Sequence, residues 1–173
     1  MFKKGSAVFG VTLPRDVKVP LWRFTAHFRG FEKVEAVKRI FGGETERVLN
    51  ELKVEFTTRC GYMSVSEQDG HLIVSTYYLK NGDERDIYLD VIHELVHVKQ
   101  FMEGKELFDE HFEYVRRPTE VEAYKYAVEE ARKIGMTEEE IYEYLKTEWM
   151  SESDIKNLAK ILGVKPNASS MKI

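Results

Sequence analysis

A single cysteine, Cys60, in 173 residues excludes an internal disulfide and any zinc cluster built on cysteines. Its expected place is that of a small core or strand residue. Long apolar runs are missing too, and nothing approaches the roughly 20 residues of a membrane-spanning helix. Ala7 to Leu13, although preceded by Lys3-Lys4, is too short and mixed for a secretory signal. Nor is there an excess of positive charge: 26 basic residues stand against 30 acidic ones, for a net charge of −4. The basic residues are dispersed apart from Lys3-Lys4 and Arg116-Arg117, which argues against nucleic acid as the main partner. Amide side chains are few, with two Gln and four Asn beside 32% charged residues, a balance typical of thermophiles. What remains is the composition of one compact, cytoplasmic domain over residues 1–165, with a flexible tail at 166–173. No membrane partner is expected, and the oligomeric state is left open.

Histidine is also scarce, at five, yet two of the five fall in His93-Glu94-Leu95-Val96-His97. At about 100° per residue, His93 and His97 point the same way on a helix, so both can bind one metal ion. Glu94 projects from the flank of that pair, where it can accept a proton from metal-activated water. Asp86 to Gln100 contains no Gly or Pro. Tyr88, Val91, Ile92, Leu95, Val98 and Met102 form an apolar face opposite the histidines, so the helix is expected between a core and an open cleft. Asp83 or Asp86 is placed to cap its start.

A catalytic zinc site normally takes three protein ligands and leaves a position for water. The downstream candidates are His111, Glu120 and Glu122. On a helix from Thr119 to Ile134, Ala123, Tyr124, Ala127, Val128 and Ala131 lie within about 80° of Glu120. Glu122 sits roughly 160° away, beside Lys125, Tyr126 and Glu129 on a solvated face. An unpaired carboxylate on the inward stripe is unfavourable, and a metal removes the penalty. Glu120 is therefore the expected third ligand. Thr119 and Glu122 read as a capping box after Pro118.

With Glu120-Val121-Glu122-Ala123-Tyr124 following the His93–His97 motif, the stretch from about Lys53 to Ile134 resembles the gluzincin type of zinc metallopeptidase. In size the chain is similar to the small minigluzincins. The resemblance implies a Zn²⁺ ion on His93, His97 and Glu120, and a peptide or protein substrate. Many gluzincins carry Asp where this chain has Tyr124, which leaves open what orients the ligand histidines. A rival resemblance is to SprT-like proteases, with His111, in Phe108-Asp109-Glu110-His111-Phe112, as third ligand.

The wider pattern predicts an α+β fold, a small antiparallel or mixed sheet packed on the HExxH helix, followed by a glutamate helix and C-terminal helices. Strands are expected at Ala7 to Leu13, Leu21 to Phe28 and Lys53 to Thr58, with a hairpin of Cys60 to Glu67 and His71 to Leu79 about Gln68-Asp69-Gly70. Helices are expected over Phe31 to Phe41, Glu44 to Leu52, Thr137 to Trp149 (opened by a Thr137–Glu140 capping box) and Ser151 to Leu162. One hairpin strand, Tyr62 to Ser66 or Leu72 to Tyr78, is expected to offer an open edge for an extended peptide.

Such a site hydrolyses peptide bonds, with Glu94 as general base and a further donor for the oxyanion drawn from His111, Tyr114, Arg116 and Tyr124. His27, His71, Trp22 and the Tyr77-Tyr78 pair read as packing or surface residues. Two other readings stand beside the enzyme. One is a latent or inactive zinc-binding module with closed coordination. The other is a regulator, in which Leu158 to Val164 resembles the first helix of a helix-turn-helix but no recognition helix follows.

Overall fold

The computed structural model describes residues 6–14, 21–59 and 61–166. The Lys3-Lys4 pair, Pro20, Cys60 and the tail beyond 166 lie outside them. β1 (Ser6–Val8) and β2 (Val11–Leu13) make a short antiparallel ribbon. β3 (Leu21–Arg23) runs directly into α1 (Phe24–His27), where a strand to Phe28 was expected. A helical turn brings Phe24 and Phe28 together, with ring centroids 4.9 Å apart, and buries both. The i,i+4 spacing of two large rings thus outweighs the strand pattern here.

The helix expected over Phe31–Phe41 is split. Val34 is extended, which separates a 3₁₀ turn at Phe31–Lys33 from α2 (Glu35–Phe41). α3 (Thr45–Glu51) leads into β4 (Lys53–Thr57), where Val54 and Phe56 alternate inward as period two requires. The hairpin forms as β5 (Met63–Val65) and β6 (Leu72–Ser75). Its turn needs Gly70, whose φ is +74° and where a Cβ would overlap the Phe101 ring. The strand order β3-β4-β6-β5 is mixed, with β4 and β6 parallel and the outer pairs antiparallel. β6 is therefore internal, and β5 is the edge.

α4 (Thr76–Asn81) turns the chain into α5 (Glu84–Met102), whose start is capped by Asp83 accepting from Arg85 N at 2.8 Å. α5 is buried nearly all round. Ile87 to Leu89 and Val91 to Val98 are all buried, the histidine side included, whereas Met102 in the last turn is half-exposed. The expected division into a greasy face and an open face is thus replaced by a wrapped helix. α6 (Pro118–Lys133) lies against it through Ala123, Ala127 and Ala131, each fully buried. These small residues permit a close approach of the two helices.

The expected Thr119 cap is not what opens α6. Pro118 occupies the first turn, Arg117 is the N-cap residue without a side-chain bond, and Thr119 Oγ1 donates to Leu107 O at 3.0 Å. α7 (Glu138–Tyr144) does begin with the Thr137–Glu140 capping box, but it ends short of Trp149. Leu145 turns in to the core, and Thr147 and Trp149 after it line a cavity shared with Asp90 and Glu94 of α5. α8 (Glu152–Leu162), capped by Ser151, closes the chain against α6. Among the described residues no helix is long and apolar enough to cross a membrane.

Candidate metal centre

His93 and His97 stand one turn apart on α5, and Glu120 faces them from the first turn of α6. All three side chains are buried. Their ligand-capable atoms form a triangle: His93 Nε2 to His97 Nε2 is 3.0 Å, His93 Nε2 to Glu120 Oε2 is 3.3 Å, and His97 Nε2 to Glu120 Oε2 is 3.5 Å. A tetrahedral zinc ion, with bonds of about 2.0–2.1 Å, spaces its ligand atoms about 3.3 Å apart. The triangle fits such an ion. His93, His97 and Glu120 form a buried group that could hold a metal.

Two features call for a cation there. Glu120 Oε2 is buried with no neighbour in hydrogen-bond geometry, its ion-pair contacts being the two imidazole nitrogens, a costly state for a carboxylate oxygen. In addition, two imidazole nitrogens converge on it. Burial would lower His97, but contact with Glu120 lifts it to about 9. Burial would likewise raise Glu120, but both imidazoles hold it well below the carboxylate range. His93, dominated by burial, goes down.

Gln100, a residue the sequence reading passed over, orients His97. Its Nε2 donates to Thr119 O at 3.0 Å and to Glu122 Oε2 at 2.9 Å. That leaves Oε1 to face His97 Nδ1 at 2.7 Å, so Nδ1 carries the proton and Nε2 is free to ligate. Glu122 lies on the solvated side as expected, but caps nothing: it anchors Gln100 and pairs with the exposed Lys105 Nζ at 3.1 Å. The signal was present, because Gln100 follows His97 at helical spacing. Tyr124 packs edge-on to His93 with centroids 4.4 Å apart, and His93 Nδ1 has no hydrogen-bond partner.

Glu94 is buried, and among the described residues its carboxylate makes no hydrogen bond or salt bridge. Burial pushes it up to about 8, with His97 opposing and Glu120 and Asp90 adding. Cavities of about 190 and 180 Å³ meet at His93 and Glu94, with Met63, Tyr114 and Trp149 also in both walls. Of the proposed oxyanion donors, Tyr114 lines both cavities, 3.3 Å from the Tyr124 hydroxyl, and burial raises its pKa so that it keeps its proton. Arg116 is exposed, as is His111, which bonds Asp109 at 2.7 Å and is not brought to the triad. His27 packs between Trp22 and Phe56, and His71 bonds Asp69 and Glu55.

Comparison of the chain with known protein families, with curated proteins and with solved structures finds no match.

Proposed function

We propose that the chain is a zinc-dependent metallopeptidase of gluzincin type, with His93, His97 and Glu120 as ligands and Glu94 as general base. The observation that carries this reading is the Glu120 carboxylate oxygen buried against two imidazole nitrogens at tetrahedral spacing, with Glu94, next to His93 in the chain, making no hydrogen bond or salt bridge among the described residues. A bound Zn²⁺ supplies a lowered pKa for water at its open position and polarisation of a carbonyl oxygen. Glu94 takes the proton from water as the oxygen bonds to the peptide carbon, then delivers it to the departing amine as the C–N bond breaks. Tyr114, which lines both cavities with its proton retained, would donate to the developing oxyanion.

The edge strand supplies a binding surface. Ser66 N donates to His71 O and Ser75 N to Tyr62 O, so Tyr62, Ser64 and Ser66 aim their backbone groups at β6. Met63 and Val65 therefore aim theirs outward, toward the cavity both residues line. An extended peptide paired there lies over the triad.

The test is incubation of the zinc-reconstituted chain with an unfolded protein. Cleavage should appear, vanish on chelation and return with zinc. Full zinc occupancy without cleavage would instead favour the inactive zinc-binding module.

A further inference from the structure

Resting on the peptidase reading, we infer that the cavity beside Glu94 is a subsite for a lysine or arginine side chain next to the scissile bond. Asp86, Asp90 and Glu94 follow one another at four-residue intervals, so α5 sets three carboxylates along one ridge of that cavity. At 1.5 Å per residue, Asp90 lies about 6 Å and Asp86 about 12 Å along the axis from Glu94. Asp90 accepts from Tyr78 at 2.6 Å and Tyr144 at 2.9 Å. These donors are neutral phenols, which leave its charge uncompensated. Asp86 makes no hydrogen bond or salt bridge among the described residues, and neither does the buried Glu94. The cavity's one lysine among the described residues, Lys146, is held by Glu143, so it cancels that carboxylate and neither Asp86 nor Asp90.

The remaining walls suit the same ligand. Tyr78, Tyr62 and Trp149 meet edge to face, with centroids 4.9 and 5.5 Å apart, and offer apolar surface for an aliphatic stem and ring faces for a cation. Thr147 Oγ1 is buried nearby without a hydrogen-bond partner. A free amino terminus is the competing cation. It has no stem to lie on the rings, however, and the carboxylates extend well past its reach from Glu94.

Binding tests this without turnover. N-acetyl-arginine amide, N-acetyl-norleucine amide and glycine amide are titrated against the metal-free and zinc-loaded chain, following the Trp149 indole by NMR, with Trp149→Phe to assign it. The arginine probe should bind at least about tenfold tighter than norleucine, the scale of one charge-assisted hydrogen bond. Asp90→Asn should remove most of that preference. Asp86→Asn, whose side chain makes no bonds to lose, should weaken it severalfold and serves if Asp90→Asn does not fold. Equal affinity for arginine and norleucine, glycine amide matching arginine, or no effect of either variant would overturn the assignment. A chain that binds the arginine probe but cleaves nothing keeps the subsite and loses the peptidase reading. One that cleaves without preference for basic residues keeps the peptidase reading and loses the subsite.

Discussion

Gln100 Oε1 sits 2.7 Å from His97 Nδ1, and the two donations from the same amide nitrogen leave it no other orientation. The tautomer of His97 is thereby set before any ion arrives. Gln100→Ala should lower zinc affinity by about 10–100-fold, the range seen for groups that orient metal-bound histidines. Glu122→Ala, acting one bond further away, should cost less, and Gln100→Glu should recover part of the loss because its carboxylate still accepts from Nδ1. Chelator competition measures all three. Unchanged affinity in Gln100→Ala would show that packing alone orients the ring.

The triad should bind about one equivalent of zinc, and His93→Ala, His97→Ala or Glu120→Ala should each abolish it. His111→Ala should leave it in place, because that ring is turned to solvent. Elemental analysis after reconstitution decides between them. Metal lost from His111→Ala but kept in Glu120→Ala would reverse the ligand assignment in favour of the SprT-like reading.

Glu94→Gln preserves shape and removes only the base. Zinc content and melting temperature should stay near wild type while cleavage falls by at least about 100-fold. Turnover that survives the substitution would mean another group takes the proton.

Asp90 gives the chain a pH signature independent of turnover. Burial raises its pKa to about 6, against the opposing bonds from Tyr78 and Tyr144, with Asp86 adding. A carboxyl raised above its unfolded value contributes stability below that value and loses it as pH rises through about 6. Asp90→Asn mimics the neutral form. Its melting temperature relative to wild type should therefore be higher at pH 8 than at pH 4.5, by a difference worth about 2 kcal/mol at most. Thermal unfolding of the metal-free proteins at both pH values checks the sign. The opposite trend would mean that the two phenols stabilise the charged form more than burial penalises it.

The centre was legible where the information is local. His93 and His97 announce themselves by spacing, and the apolar stripe of α6 separates Glu120 from Glu122 without any structure. Asp90 shared the helical register of Glu94 but had no visible partners, since Tyr78 and Tyr144 reach it only through the tertiary fold. Only the capping role of Glu122 fails, for the same reason: a capping box is a local pattern, whereas its bond to Gln100 spans two helices. In the fold, the shortened strand at Leu21–Arg23 and the early end of α7 depend on where Phe24 and Leu145 find their core, and no local periodicity records that.

The edge of β5 that faces away from β6 is only three residues long, and Met63 and Val65 aim their backbone groups along it. Whatever pairs with it must bring backbone N–H and C=O groups not already engaged in a helix or sheet. A native protein has few such stretches, and a damaged or newly made one has many. So short an edge also makes a poor template for stacking one copy of the chain on another. In the proposed peptidase, the same brevity that limits its grip would let the molecule distinguish folded from unfolded neighbours without itself becoming a seed for aggregation.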